Sequence, residues 1–167
     1  SLELARKATS RRDVERIGLC GVKFMAESAD ILQGVWQVVY MPDTSAGCPM
    51  AGMASAQGVK QAWATLQKAG VGCLPVVYVN STADIKALCG QWGGSTCTSS
   101  NARRVFEWVF AQGKRVFFLP DEHLGVNTAF DMGLGWNQIA VYNPAVPGGG
   151  LTQEELQNAR VIAWKGF

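Results

Sequence analysis

Leu74-Pro75-Val76-Val77-Tyr78-Val79-Asn80-Ser81-Thr82-Ala83-Asp84-Ile85-Lys86-Ala87-Leu88 decides the fold class of this chain. The run 74–79 is apolar at almost every position, as a strand buried on both faces of a parallel sheet should be. Residues 82–88 have helical character, with Ser81 or Thr82 placed to cap them. A buried strand passing directly into a helix is half of a βαβ unit.

The same alternation continues in both directions. Upstream, 55–69 carries Val59, Ala62, Trp63 and Leu66 at helical spacing. Before it, 37–40 reads as a strand stopped by Pro42, 25–32 as a short helix, and 16–24 as a strand running into a loop. The opening residues, from Ser1, read as a helix. Downstream, a short strand ends near Cys97, and a helix follows over 101–111. A strand over 115–119 is stopped by Pro120, with a helix near 124–132 and a strand near 138–142 beyond it. A Pro/Gly-rich loop covers 143–150. The helix 151–159 has Thr152 as its cap and Glu154 and Glu155 in its first turn. The last strand is 161–164. A buried-type strand this close to the final residue implies that a further segment follows. The whole pattern predicts an α/β protein with parallel sheets.

Composition narrows the function classes. The 167 residues suffice for one domain of ordinary size, and 48% are hydrophobic, enough for a sizeable core. The net charge is only +2. Arg11-Arg12 and Arg103-Arg104 are isolated pairs, so nucleic acid is not an expected partner. No apolar run reaches the length of about 18 residues that a membrane span needs. The amphipathic, charged opening does not read as a signal peptide. The five cysteines are Cys20, Cys48, Cys73, Cys89 and Cys97, an odd number at irregular spacing without zinc-finger pairs. Cys20 and Cys73 sit in apolar, strand-like stretches. A reducing cytoplasm fits this usage better than a disulfide framework.

Four places could carry chemistry. Cys48 follows Pro42-Asp43-Thr44-Ser45-Ala46-Gly47 beyond the strand 37–40, where open α/β sheets place their ligands. It reads as a nucleophile or metal ligand, or as a small buried hydrophobe. Tyr78-Val79-Asn80 closes a strand before a helix start. A phenol, an amide and backbone N–H groups there suit a carboxylate or phosphate, unless Tyr78 is core and Asn80 a turn residue. Thr98-Ser99-Ser100-Asn101 offers hydroxyls at another helix start, as an anion seat or as caps alone. His123, the single histidine, follows Asp121-Glu122 in a turn. No nucleophile elbow accompanies it, so a surface or capping role competes with catalysis. A weak repeat links 39–47 with 117–125. Both copies have Pro-Asp at a strand end and a glycine four residues later, with Asp43 and Asp121 78 residues apart.

Taken in order, Gly21-Val22-Lys23-Phe24-Met25-Ala26-Glu27-Ser28-Ala29, Pro42-Asp43…Ala46-Gly47-Cys48, Tyr78-Val79-Asn80, Cys97-Thr98-Ser99-Ser100-Asn101-Ala102 and Pro120-Asp121…Leu124-Gly125 resemble quinolinate synthase. The tail Gly149-Gly150-Leu151-Thr152…Trp164-Lys165-Gly166-Phe167 resembles that family's approach to its second cluster cysteine.

The resemblance implies an iron–sulfur transferase of de novo NAD biosynthesis. Such an enzyme condenses iminoaspartate with dihydroxyacetone phosphate, and L-aspartate oxidase is an expected contact as iminoaspartate supplier. It implies three-layer α/β/α subdomains with short parallel sheets, related by a pseudo-threefold axis. One subdomain would be complete here and its neighbours partial: 1–47 ends the first, 48–135 is the second and 136–167 starts the third. By the same resemblance Cys48 is one of three ligands of a [4Fe–4S] cluster, and Tyr78, Val79, Asn80 and Ser99 bind substrate. The other four cysteines fall on no ligand position. The family's first substrate-binding His and Ser would precede Ser1. Its second cysteine would follow Phe167, with a His-Pro-Glu segment, a Thr and the third cysteine beyond. The chain is therefore expected to be an internal fragment, inactive alone. The competing expectations are a non-catalytic α/β phosphate-binding module and a Cys48-dependent enzyme without a cluster.

Overall fold

The computed structural model of the chain describes residues 2–166. Ser1, with which the expected N-terminal helix begins, and Phe167, which ends the tail motif, lie outside the described residues. The elements are α1 (Leu2–Thr9), β1 (Arg16–Gly18), α2 (Lys23–Leu32), β2 (Val38–Tyr40), a 3-10 turn (Met50–Gly52), α3 (Ala56–Lys68), β3 (Cys73–Tyr78), α4 (Ala83–Gln91) and β4 (Ser95–Cys97). They continue as α5 (Ala102–Ala111), β5 (Arg115–Leu119), α6 (Glu122–Asp131), β6 (Ile139–Tyr142), α7 (Gln153–Asn158) and β7 (Val161–Trp164). No described helix is long and apolar enough to cross a membrane.

All strand pairs are parallel. A five-stranded sheet has the order β4-β3-β5-β7-β6, and β1 and β2 pair separately. Alternation along the central strands divides the core into two layers. Cys73, Val77, Phe117, Leu119, Ile162 and Trp164 pack against α3, α4 and α7 through residues such as Leu66, Ile85 and Leu156. Val76, Val116, Phe118, Val161 and Ala163 pack on the other face against Phe106 and Val109 of α5 and Val126 and Ala129 of α6. This is the expected three-layer α/β/α arrangement. The steps β3–α4–β4 and β6–α7–β7 run over one face, β4–α5–β5 and β5–α6–β6 over the other, as right-handed crossovers in both directions require. The small β1–β2 sheet is covered on one face by α1 and α2, with Ala5, Leu19, Ala26 and Ala29 buried between them. Its Val38 and Tyr40 are exposed.

One expectation needs correction, and one arrangement was not foreseen: β6 and β7, from residues 136–167, share a single sheet with β3, β4 and β5. β7 inserts between β5 and β6, with Val116, Phe117 and Phe118 opposite Val161, Ile162 and Ala163. Every residue of β7 is buried, which only a central strand with both faces covered allows. Cys20, read as part of an apolar strand, is exposed, because β1 ends at Gly18.

Local chemistry fixes several joints. Thr152 and Glu155 form a reciprocal capping box that starts α7. Arg115 donates from Nε to the carbonyl of Ala159 (2.9 Å) and from Nη2 to that of Gln157 (2.7 Å), satisfying the helix's last acceptors. Gly94 lies so close to β3 that a Cβ there would overlap the carbonyl oxygen of Pro75, with Cys89 Sγ 2.8 Å away. Trp164, 2% exposed, stacks near Tyr142 and donates its indole N–H to the carbonyl of Met53 at 3.0 Å. That bond fastens the segment after Cys48 to the end of β7.

Gly94→Ala should therefore destabilise by about 3 kcal/mol, because a backbone oxygen cannot move aside as a side chain would. A thermal melt should register a drop of about 6–12 °C. Trp164→Phe keeps a ring but orphans the Met53 carbonyl, at a cost of about 1–3 kcal/mol. It should also speed alkylation of Cys48 by loosening that loop. A lower melting temperature with unchanged Cys48 reactivity would reduce Trp164 to a packing residue.

Candidate functional site at the carboxyl ends of the strands

The chain leaves β3 toward β4 and then returns past β3 to β5. The carboxyl ends of β3 and β5 therefore border the crevice where open α/β sheets bind ligands. Four segments meet there. Tyr78 ends β3, Thr98 and Ser99 follow β4, Asp121 follows β5, and the Cys48 loop arrives from β2.

The Cys48 loop is held at several points. Asp43 accepts hydrogen bonds from the Ser45 backbone N–H (2.8 Å) and hydroxyl (2.6 Å), closing the Pro-Asp turn. The Ala46 carbonyl accepts from the Lys23 N–H at the start of α2 (2.8 Å). Beyond the cysteine, Asn80 Nδ2 lies 3.9 Å from Met50 Sδ, and Trp164 holds Met53. Cys48 is left half-buried, with no disulfide.

Tyr78 is the centre of the group. Burial pushes its phenol pKa upward; Asp121, Cys97 and Cys48 nearby push the same way, while the adjacent Ser99 hydroxyl pulls it down. The phenol is thus a hydrogen-bond donor at neutral pH. Val79 is buried and its N–H donates to the Cys97 carbonyl (2.8 Å), so this residue fixes backbone rather than offering a side chain. Ser99 is exposed at the rim. Tyr78, Val79, Thr98, Ser99 and Ser100 line a cavity of about 270 Å³ that Leu2 and Glu3 of α1 close from above. A larger cavity, about 640 Å³, opens around Trp136, Leu151 and Glu154, away from all of these residues.

The two helix starts differ. The hydroxyl-rich turn before α5 carries no side-chain cap: Asn101 Oδ1 instead accepts from the Thr98 N–H (2.6 Å). That helix start remains open to an anion. The start of α4 does not. Glu27 Oε2 accepts the Ala83 N–H at 2.9 Å, and Asp84 Oδ1 accepts that of Ile85 at 2.8 Å. Two of the backbone N–H groups after Asn80, those of Ala83 and Ile85, are thus occupied by protein carboxylates. Thr82 is the N-cap residue but makes no capping bond of its own: its hydroxyl donates to Asp84 Oδ1, the oxygen that accepts the Ile85 N–H.

His123 is exposed, and its N–H donates to Asp121 (2.9 Å) in a turn that caps α6. It belongs to the capping turn. Cys73, Cys89 and Cys97 are core residues whose thiol pKa values burial pushes up to about 12. Among the described residues no group of three or more His, Cys, Asp or Glu side chains is assembled to hold a metal ion. Cys48 is a single half-buried thiol, and the described residues assemble no ligand set around it. Glu27 and Asp121 were not singled out as site residues from the sequence. Asp121 carried a signal, the repeated Pro-Asp turn; Glu27 lies in the Gly21–Ala29 run that carries the resemblance, but nothing there points to a contact with Ala83.

Comparison with known proteins bears on this geometry. Residues 1–167 match the family described as quinolinate synthetase A protein. A quinolinate synthase of Streptomyces coelicolor is 53% identical over 169 aligned residues, 99% of this chain and 43% of the relative. That of Acidobacterium capsulatum is 50% identical over 163, 96% of this chain and 44% of the relative. That of Bacillus subtilis is 48% identical over 173, 99% and 45%. The chain spans less than half the length of the curated relatives it matches. With the match running through every segment that meets at the strand ends, this chain belongs to the quinolinate synthetase A family.

Proposed function

We propose that this chain is the central part of a quinolinate synthase, which condenses iminoaspartate with dihydroxyacetone phosphate to quinolinate, phosphate and water in de novo NAD biosynthesis. The observation that carries the reading is about half identity, across the chain, to relatives bearing that name. The strand-end geometry supports it. An open helix start, a phenol and a serine hydroxyl face one small cavity, and a half-buried thiol stands beside them.

In this reading Tyr78 and Ser99 donate hydrogen bonds to anionic oxygens of the substrate, and the start of α5 adds its backbone N–H groups and positive dipole end. Asn80 holds Met50 and with it the Cys48 loop, while Val79 keeps the β3 and β4 ends in register. Cys48 is one of three thiolate ligands of a [4Fe–4S] cluster, the others coming from residues outside this chain. When bound, the cluster supplies a Lewis-acidic iron. A single thiolate does not retain it, so the isolated chain is inactive. L-aspartate oxidase is the proposed source of iminoaspartate, in the cytoplasm.

In the full-length protein, purified without oxygen, Cys48→Ser should lose both the iron with its broad visible absorption and quinolinate formation. Cys73→Ala and Cys89→Ala should keep the iron. A cluster retained by Cys48→Ser would remove that thiol from the ligand set, and a cluster on the 167-residue chain alone would overturn the fragment reading. Tyr78→Phe and Ser99→Ala should each lower kcat/KM by about 5- to 150-fold, for a lost charge-assisted hydrogen bond of about 1–3 kcal/mol, with iron content unchanged. Wild-type kinetics in both variants would place the substrate elsewhere. A phosphate-binding module without catalysis would bind phosphate and form no quinolinate.

A further inference from the structure

The strand ends are held by a helix that contributes nothing to the cavity. α2 touches both halves of the candidate site. Its first residue, Lys23, holds the Cys48 loop through the Ala46 carbonyl at 2.8 Å. One turn later Glu27 reaches across to the other sheet and accepts the Ala83 N–H at 2.9 Å, capping α4 just beyond Tyr78-Val79-Asn80. Lys86, on α4, completes the contact from the other side. Its ammonium donates to the Ser81 carbonyl at 2.6 Å, lies 3.4 Å from Ser28 Oγ, and sits 5.6 Å from the ring centroid of Phe24. Phe24 and Ser28 are both on α2, so the segment 80–83 is fastened to α2 at its middle and its end.

This arrangement carries an electrostatic cost. Lys86 is half-buried and forms no ion pair among the described residues. Burial pulls its pKa down to about 8, and Glu27 nearby only partly offsets this. The Ser81 hydroxyl is buried without a partner in the same place. Apolar side chains would join two helices at lower cost. What they would not supply is direction: the Glu27 carboxylate on the Ala83 N–H, and an ammonium held by its own helix start and seated beside Ser28 and Phe24, fix a single relative position.

We propose that Glu27 and Lys86 are positioning residues which, through α2, set the Cys48 loop and the Tyr78-Val79-Asn80 segment at one fixed separation. This rests on the quinolinate synthase reading, in which the first carries a cluster ligand and the second binds substrate. Neither residue touches substrate.

The test uses the full-length, cluster-loaded enzyme. Glu27→Ala should raise KM for the condensation about tenfold, while kcat per cluster changes less than about threefold. Glu27→Gln keeps an oxygen that can accept the Ala83 N–H and should recover most of the loss. Lys86→Met should shift KM in the same direction, and it serves as the test where Glu27→Ala does not fold. A second readout does not depend on turnover: backbone amide exchange over residues 79–83 should quicken at least tenfold in Glu27→Ala, with β5 unchanged. Unaltered KM, with activity falling only in proportion to folded protein, would overturn the proposal, as would unchanged exchange at 79–83. A wild-type enzyme that forms no quinolinate would instead defeat the functional reading and leave exchange to decide the clasp.

Discussion

Burial of both faces of the parallel sheet is the constraint on which the rest depends. Parallel strands cannot be joined by tight turns, so each must be followed by a helix that returns the chain to the opposite edge. With Phe117 and Phe118 pointing to opposite layers and both fully buried, β5 needs helices above and below it. Every loop leaving a carboxyl end is thereby gathered at one edge. Tyr78, Ser99 and Asp121 are neighbours because of that requirement, although 43 positions of chain separate the first from the last. Their proximity is a by-product of hiding Val, Ile and Phe from water.

The elements within this sheet were legible in the sequence because their signals are local. Pro120 ends β5 where the apolar run stops, and Thr152 with Glu155 marks the start of α7. The two Pro-Asp copies share one local bond: Asp43 and Asp121 each accept the N–H two residues on, although only Asp121 starts a helix. Long-range partners were not legible. An apolar run at 161–164 announces a buried strand, yet nothing in it says that its neighbours are β5 and β6 rather than strands of another sheet. Glu27 was hidden for the same reason. A glutamate on a helix usually faces solvent, and only the approach of α4, 56 residues later, turns it into a cap.

The two helix starts show how a small change of partner decides what a site can do. Both follow a strand, and both look in sequence like seats for an anion. At α4 the protein's own carboxylates take the N–H groups of Ala83 and Ile85. At α5 the side chain that could have capped the helix turns back to Thr98, and the seat stays open beside Tyr78. Electrostatics alone would rate the two equally; the hydrogen-bond inventory separates them.

The placement of β7 between β5 and β6 has a consequence for a chain made from its N-terminus. When β5 leaves the ribosome it can pair with β3 at once, since Val76 and Phe118 are already available. Its other edge stays bare until Val161, the partner of Val116, has been synthesised. β6 emerges in between with the same parallel direction and a similar apolar pattern. The first strand offered to the open edge of β5 is therefore the wrong one. Vectorial synthesis presents this sheet with a competitor before the native partner, and the order 4-3-5-7-6 requires β7 rather than the earlier β6 to take the edge of β5.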